Sequence, residues 1–106
     1  MSNAIPLTND LLKGVMTDAL VYRRLCTDFD TALKPGYYRA ARQMGTINYP
    51  PGAYQWGILE VLVAAEFVLQ RYTPHQFGSS KALYYRMSSQ GVWNPWILIS
   101  GQELTS

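Results

Sequence analysis

Residues 90–99 read "QGVWNPWILI", and no other stretch narrows the possible folds so sharply. Pro95 has no N–H to donate and pushes Asn94 toward extended or turn geometry, so a helix is excluded here. In a regular strand, Trp93 and Trp96 would point to opposite faces, because side chains alternate with period two. Either the two rings serve two surfaces, or a bulge brings both to one.

The same β texture extends back to about residue 28. Pro35-Gly36 reads as a turn, and "YYRAAR" after it as the start of a strand. Pro50-Pro51-Gly52 makes "NYPPGAYQ" a loop. Trp56 to Val63 and Glu66 to Thr73 are rich in β-branched and aromatic residues, which predicts a hairpin turning near Ala64-Ala65. A helix competes for this segment, since "ILEVLVAAEFVLQR" also suits one. The hairpin is preferred because Trp56, Ile58, Leu62, Phe67 and Leu69 can line alternating faces. "TPHQFGSSK" reads as a second loop, "ALYYRMSS" as a strand, Gln90-Gly91 as a turn, and Ile97 to Ser100 as the last strand. The tripeptide Tyr-Tyr-Arg occurs twice, at 37–39 and 84–86, but its flanks do not repeat.

Before residue 28 the pattern differs. Thr8, Asn9 and Asp10 are helix starters, and Leu12, Val15, Ala19, Tyr22 and Cys26 are spaced alternately by three and four. That spacing fits either one amphipathic helix packed on its own domain or the seam of a self-associating stalk, with Gly14 weakening both. The expected organisation is a helix or stalk over residues 1–27 and a β-rich knob over 28–106. The expected fold is mainly β, a small antiparallel meander with a short N-terminal helix.

Composition limits the functions. Nine basic and seven acidic residues give a net charge of +2, too little for a nucleic-acid footprint. Cys26 is the single cysteine and His75 the single histidine, so an internal disulfide and a Cys/His metal site are excluded, and no cofactor motif appears. The apolar run Ile58 to Leu69 is broken by Glu60 and Glu66 and is too short to span a bilayer. Asp10, Lys13, Asp18, Arg23 and Arg24 make the first 25 residues unlike a signal peptide. His75 has no catalytic motif around it, and "GSSK" at 78–81 lacks the spacing of a phosphate loop. No enzymatic activity is expected.

Binding is better supplied. Charged residues are only 15% of the chain against about 25% in ordinary soluble domains, while aromatics reach 13%. Rings with polar tips suit sugars or partner proteins, although on strands most such rings form core and cross-strand pairs. Tyr49 and Tyr54, flanking the Pro-Pro-Gly loop, and His75 and Gln76 in the second loop are the candidate ligand contacts. Trp93 and Trp96 are assigned to core anchoring.

The order of "KPGYYRA", "WGILEVLV", "EFVLQRYTP", "ALYYRMS" and "GVWNPWILI" resembles the pyocin-knob type domain of phage and R-type pyocin tail fibres. The matching pieces are Pro35, Gly36, Tyr37 and Tyr38; Asn48, Pro50, Pro51 and Gly52; and Gly91, Trp93, Asn94, Pro95 and Trp96, spanning roughly residues 28–101. The resemblance implies a homotrimeric, non-enzymatic fibre component, assembled in the host cytoplasm and placed in the virion. Its partners would be other tail or fibre proteins and a bacterial surface polysaccharide. It further implies that Gly36, Tyr37, Trp93 and Trp96 are framework residues, and that Leu12, Val15, Ala19 and Tyr22 form a trimer seam. A small intracellular protein-interaction module is the principal rival, and a hydrolase accessory domain a more distant one.

Overall fold

The computed structural model of the chain describes residues 21–75, 82–102 and 104. They form a mainly β fold, one seven-stranded sheet with two short 3-10 turns at Phe29–Thr31 and Arg42–Met44. The strands are β1 (Tyr22–Leu25), β2 (Gly36–Ala41), β3 (Trp56–Ala64), β4 (Phe67–Pro74), β5 (Ala82–Ser89), β6 (Val92–Trp93) and β7 (Ile97–Ser100). From β2 to β5 each strand pairs antiparallel with the next, the expected meander.

The β3–β4 hairpin settles the competition with a helix. Ala64 pairs with Phe67 across the two-residue turn Ala65-Glu66, and Ala65 takes φ +54°, as the first position of a primed hairpin turn requires. Gln90 and Gly91 are both left-handed, at +53° and +82°, which makes the β5–β6 connection a type I′ turn. At the Pro-Pro-Gly loop, Ala53 N–H donates to the Pro50 carbonyl at 3.0 Å, and Gly52 at φ +78° supplies the third residue of a type II turn.

Tyr22, expected on a helical seam, lies in a strand. β1 runs parallel to β2, with Tyr22 opposite Tyr37 and Leu25 opposite Arg39, so one extra residue bulges out of β1. Arg24 carries that bulge at φ +70°. A heptad-like spacing is a local signal, whereas β2 offers a free edge: Tyr37 N–H donates to the Val21 carbonyl at 2.9 Å and Cys26 N–H to the Arg39 carbonyl at 2.8 Å. Tertiary pairing therefore overrides the helical pattern at 22–25. Gly36 permits the approach, because a Cβ there would stand 2.5 Å from the Val21 carbonyl oxygen. Leu12, Val15 and Ala19 lie outside the described residues.

One face of the sheet carries the core. Ala40, Leu59, Val61, Tyr72 and Tyr84 are packed with Cys26, Phe29, Ala32 and Ala53 from the connecting segments, and Tyr38, Tyr49 and Trp96 close the margin. Phe29 meets both Tyr72 and Trp96 edge-on, with ring centres 5.2 and 6.0 Å apart. Inside this apolar layer sits a polar chain. Gln70 is fully buried; its Nε2 donates to the carbonyls of Phe29 (2.6 Å) and Ala32 (3.0 Å), and its Oε1 accepts from Arg86 Nε (2.8 Å). Arg86 is 7% exposed and closes the chain with an ion pair to Asp30 at 2.9 Å. Burial lowers the Arg86 pKa from its ordinary value, and Asp30 works against that shift.

The two tryptophans meet at this arginine. Trp93 pairs with Ser88 while Ile97 pairs with Tyr85, so Asn94-Pro95-Trp96 holds one residue more than the stretch of β5 it passes. The extra residue cancels the alternation and turns both rings inward. The guanidinium carbon of Arg86 stands 4.0 Å from the Trp93 ring centre and 4.4 Å from that of Trp96. β6 and β7 thus share one edge of β5 in succession.

Candidate functional site

At one end of the other face a groove of about 510 Å³ opens between β2, β3 and β4. Its construction follows from register. Arg39 on β2 faces Ile58 on β3, and Ile58 faces Thr73 on β4, so these three side chains form one row. One step further along, His75 N–H donates to the Trp56 carbonyl at 2.7 Å, which extends the ladder past the last paired residues. Tyr54 closes the end, its ring centre 6.4 Å from that of His75. The Tyr54 backbone is itself held, since its carbonyl accepts from the buried Tyr72 hydroxyl at 2.6 Å.

The floor depends on Gly57. It pairs with Ala40 on one side and Pro74 on the other, and a Cβ at Gly57 would collide with the Thr73 carbonyl and the Pro74 Cα. Glycine therefore lets β3 and β4 close tightly beneath the groove. The lining is mostly apolar, and Tyr54, His75 and Arg39 are the residues in it that carry a hydroxyl, an imidazole and a guanidinium. A concave apolar surface with a few convergent polar groups is the usual form of a small-ligand site.

Among the residues expected to bind ligand, the structure brings Tyr54 and His75 together in this groove. Tyr49 is half-buried and packs against the core instead. Gln76 lies outside the described residues. Arg39 and Trp56 were not singled out as ligand contacts by the sequence; Trp56 could have been, as the ring nearest Tyr54 and in phase with Ile58, whereas Arg39 joins only through the β2–β3 register. Among the residues expected to be structural, Trp93 and Trp96 stack on Arg86 and Gly36 admits β1. Tyr37 is 37% exposed and stacks on Tyr22, ring centres 5.3 Å apart. Among the described residues no cluster of His, Cys, Asp and Glu is arranged to hold a metal ion.

Comparison with protein-family models, with curated proteins and with solved structures finds no match for this chain.

Proposed function

We propose that this chain is a homotrimeric, non-enzymatic knob domain of a phage or phage-derived tail fibre, and that it helps attach the fibre to a bacterial surface glycan. The observation that carries the glycan reading is the groove, in which Tyr54, Trp56 and His75 stand beside Arg39 on a sheet floor. The apolar faces of a pyranose ring stack on such rings, and its hydroxyls need hydrogen-bonding groups at the edges. The positive guanidinium adds a preference for sugars that carry a carboxylate. The tail-fibre assignment comes from the motif order between residues 28 and 101 and from its resemblance to the pyocin-knob type domain.

The test is a bacterial glycan array probed with the full chain and with Trp56→Ala. Binding to one or a few surface oligosaccharides, weakened at least tenfold in the variant, is the expected result. Equal binding by both proteins would move the site elsewhere. No binding at all, together with a monomeric mass, would favour the protein-interaction module.

A further inference from the structure

Among the described residues, the sheet face that the core does not cover carries large apolar side chains in a regular arrangement. Leu62, Leu69 and Met87 form one cross-strand row; Tyr37, Glu60, Arg71, Tyr85 and Ile97 form the next. Leu83 faces Ile99 in the row after that. Tyr37, Leu62, Phe67, Leu83, Met87, Ile97 and Ile99 are each between 37% and 47% exposed. With about 200 Å² on each aromatic side chain and roughly 130 Å² on each Leu, Ile or Met, these residues leave on the order of 450 Å² of apolar surface open. The largest apolar patch on a typical monomer is about 300–600 Å². One side of a standard protein–protein interface is about 800 Å².

We infer that this open face is the surface through which copies of the chain meet. The area is comparable with the apolar part of what one partner contributes to a standard interface, a little over half of its surface. The charges fit a copy better than a ligand of one sign, since the row that crosses the face carries Glu60 and Arg71, 3.2 Å apart and paired with each other. The face is thus neutral at its centre, with Arg39 set apart at the groove end, and it presents one charge of each sign to an identical neighbour. Sheet faces stack at about 10 Å with interdigitating side chains, and the alternation of Leu, Met, Ile and Tyr along these rows supplies the knobs. The groove lies at the end marked by Trp56 and His75, away from Leu62 and Met87, so association leaves it at the rim. The inference rests on the self-associating reading above but not on its stoichiometry.

The experiment is light scattering coupled to size exclusion on the full chain, wild type and Leu62→Lys/Met87→Lys. The expected result is a wild-type mass of two or three times 12.0 kDa and a double variant at 12.0 kDa with an unchanged far-ultraviolet dichroism spectrum. A trimer that persists in the double variant would overturn the face assignment and leave the trimer standing. A wild-type dimer abolished by the double variant would support the face and remove the trimer. A wild-type monomer would overturn the inference. Should the double variant unfold, Met87→Cys replaces it. Mild oxidation is expected to give covalent dimers for Met87→Cys and none for Gln43→Cys on the exposed 3-10 turn; equal yields would reject the interface.

Discussion

The guanidinium carbon of Arg86 stands 4.0 Å from the centre of the Trp93 ring and 4.4 Å from that of Trp96. Indole faces are electron-rich and apolar, so they hold a poorly hydrated planar cation where water is scarce. The cation in turn orders the segment above it through Asp30 and Gln70. Arg86→Met keeps the stem but leaves the Gln70 Oε1 without its donor. Loss of a buried charged hydrogen bond of this kind is expected to cost about 2–4 kcal/mol in urea unfolding. Asp30→Asn should cost less, about 1 kcal/mol, because the Asp30 side chain is half exposed and water replaces part of the pair. An Arg86→Met chain as stable as wild type would mean that the cluster is decorative.

Trp96 also reaches the core, where it meets Phe29. Trp96→Ala removes that contact and one wall of the arginine slot together, and about 3 kcal/mol of destabilisation is expected. Unchanged stability with lost glycan binding would transfer Trp96 from framework to site.

Gly57 gives a sharper test of the groove floor. Because an added methyl has nowhere to go except into the β4 backbone, Gly57→Ala must separate β3 from β4 or twist them. A loss of about 2–3 kcal/mol is expected from such overpacking. Amide exchange at Thr73 and His75 should rise at the same time, since the ladder ends there. Exchange that stays slow would show that the strands absorb the methyl without parting.

Ala65 should respond in the opposite direction. It holds φ +54° at the hairpin tip, a conformation that costs an L-residue roughly 1–2 kcal/mol and glycine nothing. Part of that gain is offset by the larger unfolded-state entropy of glycine. Ala65→Gly is therefore expected to raise stability by about 0.5–1 kcal/mol in a denaturant titration. A destabilised variant would indicate that the alanine methyl packs at the tip.

These residues show which parts of the fold were legible in advance. Turns were legible because their chemistry is local: Pro-Gly, Pro-Pro-Gly and Gln-Gly each restrict two or three torsions whatever surrounds them. β5 was legible because Leu83, Tyr85 and Met87 alternate against Tyr84 and Arg86. β3 was less clear, since Leu59 and Val61 face the core while Ile58 and Leu62 face outward, and a strand apolar on both sides reads much like a helix. β1 was misread over 22–25 because the edge it pairs with begins at Gly36, outside any local window. For the tryptophans both outcomes were visible, and the cross-strand register chose the bulge. Half of the groove was visible as aromatic residues near loops, but Arg39 enters it only through pairing across β2 and β3.

Cys26 carries the prediction about pH. Its thiol is 2% exposed within the core, and burial raises its pKa from 9.0 to about 11. Burial raises the Tyr72 hydroxyl from 10.0 as well. Below pH 9 both groups are protonated in the folded and the unfolded chain, so neither makes stability depend on pH. Above pH 9 the unfolded thiol loses its proton first, the unfolded state binds fewer protons than the folded one, and stability falls as pH rises. The decline should run from about pH 9 to 11 for Cys26, reaching roughly 2–3 kcal/mol at its end, with Tyr72 steepening it further on the alkaline side. Cys26→Ala should flatten the lower part of this slope in denaturant titrations at pH 7, 9 and 10.5, at the cost of a small constant loss from the missing sulfur. In the native wild type the thiol should also react with a disulfide reagent only as fast as the core opens. Rapid labelling at pH 8, or a slope identical in Cys26→Ala, would place the sulfur outside the core.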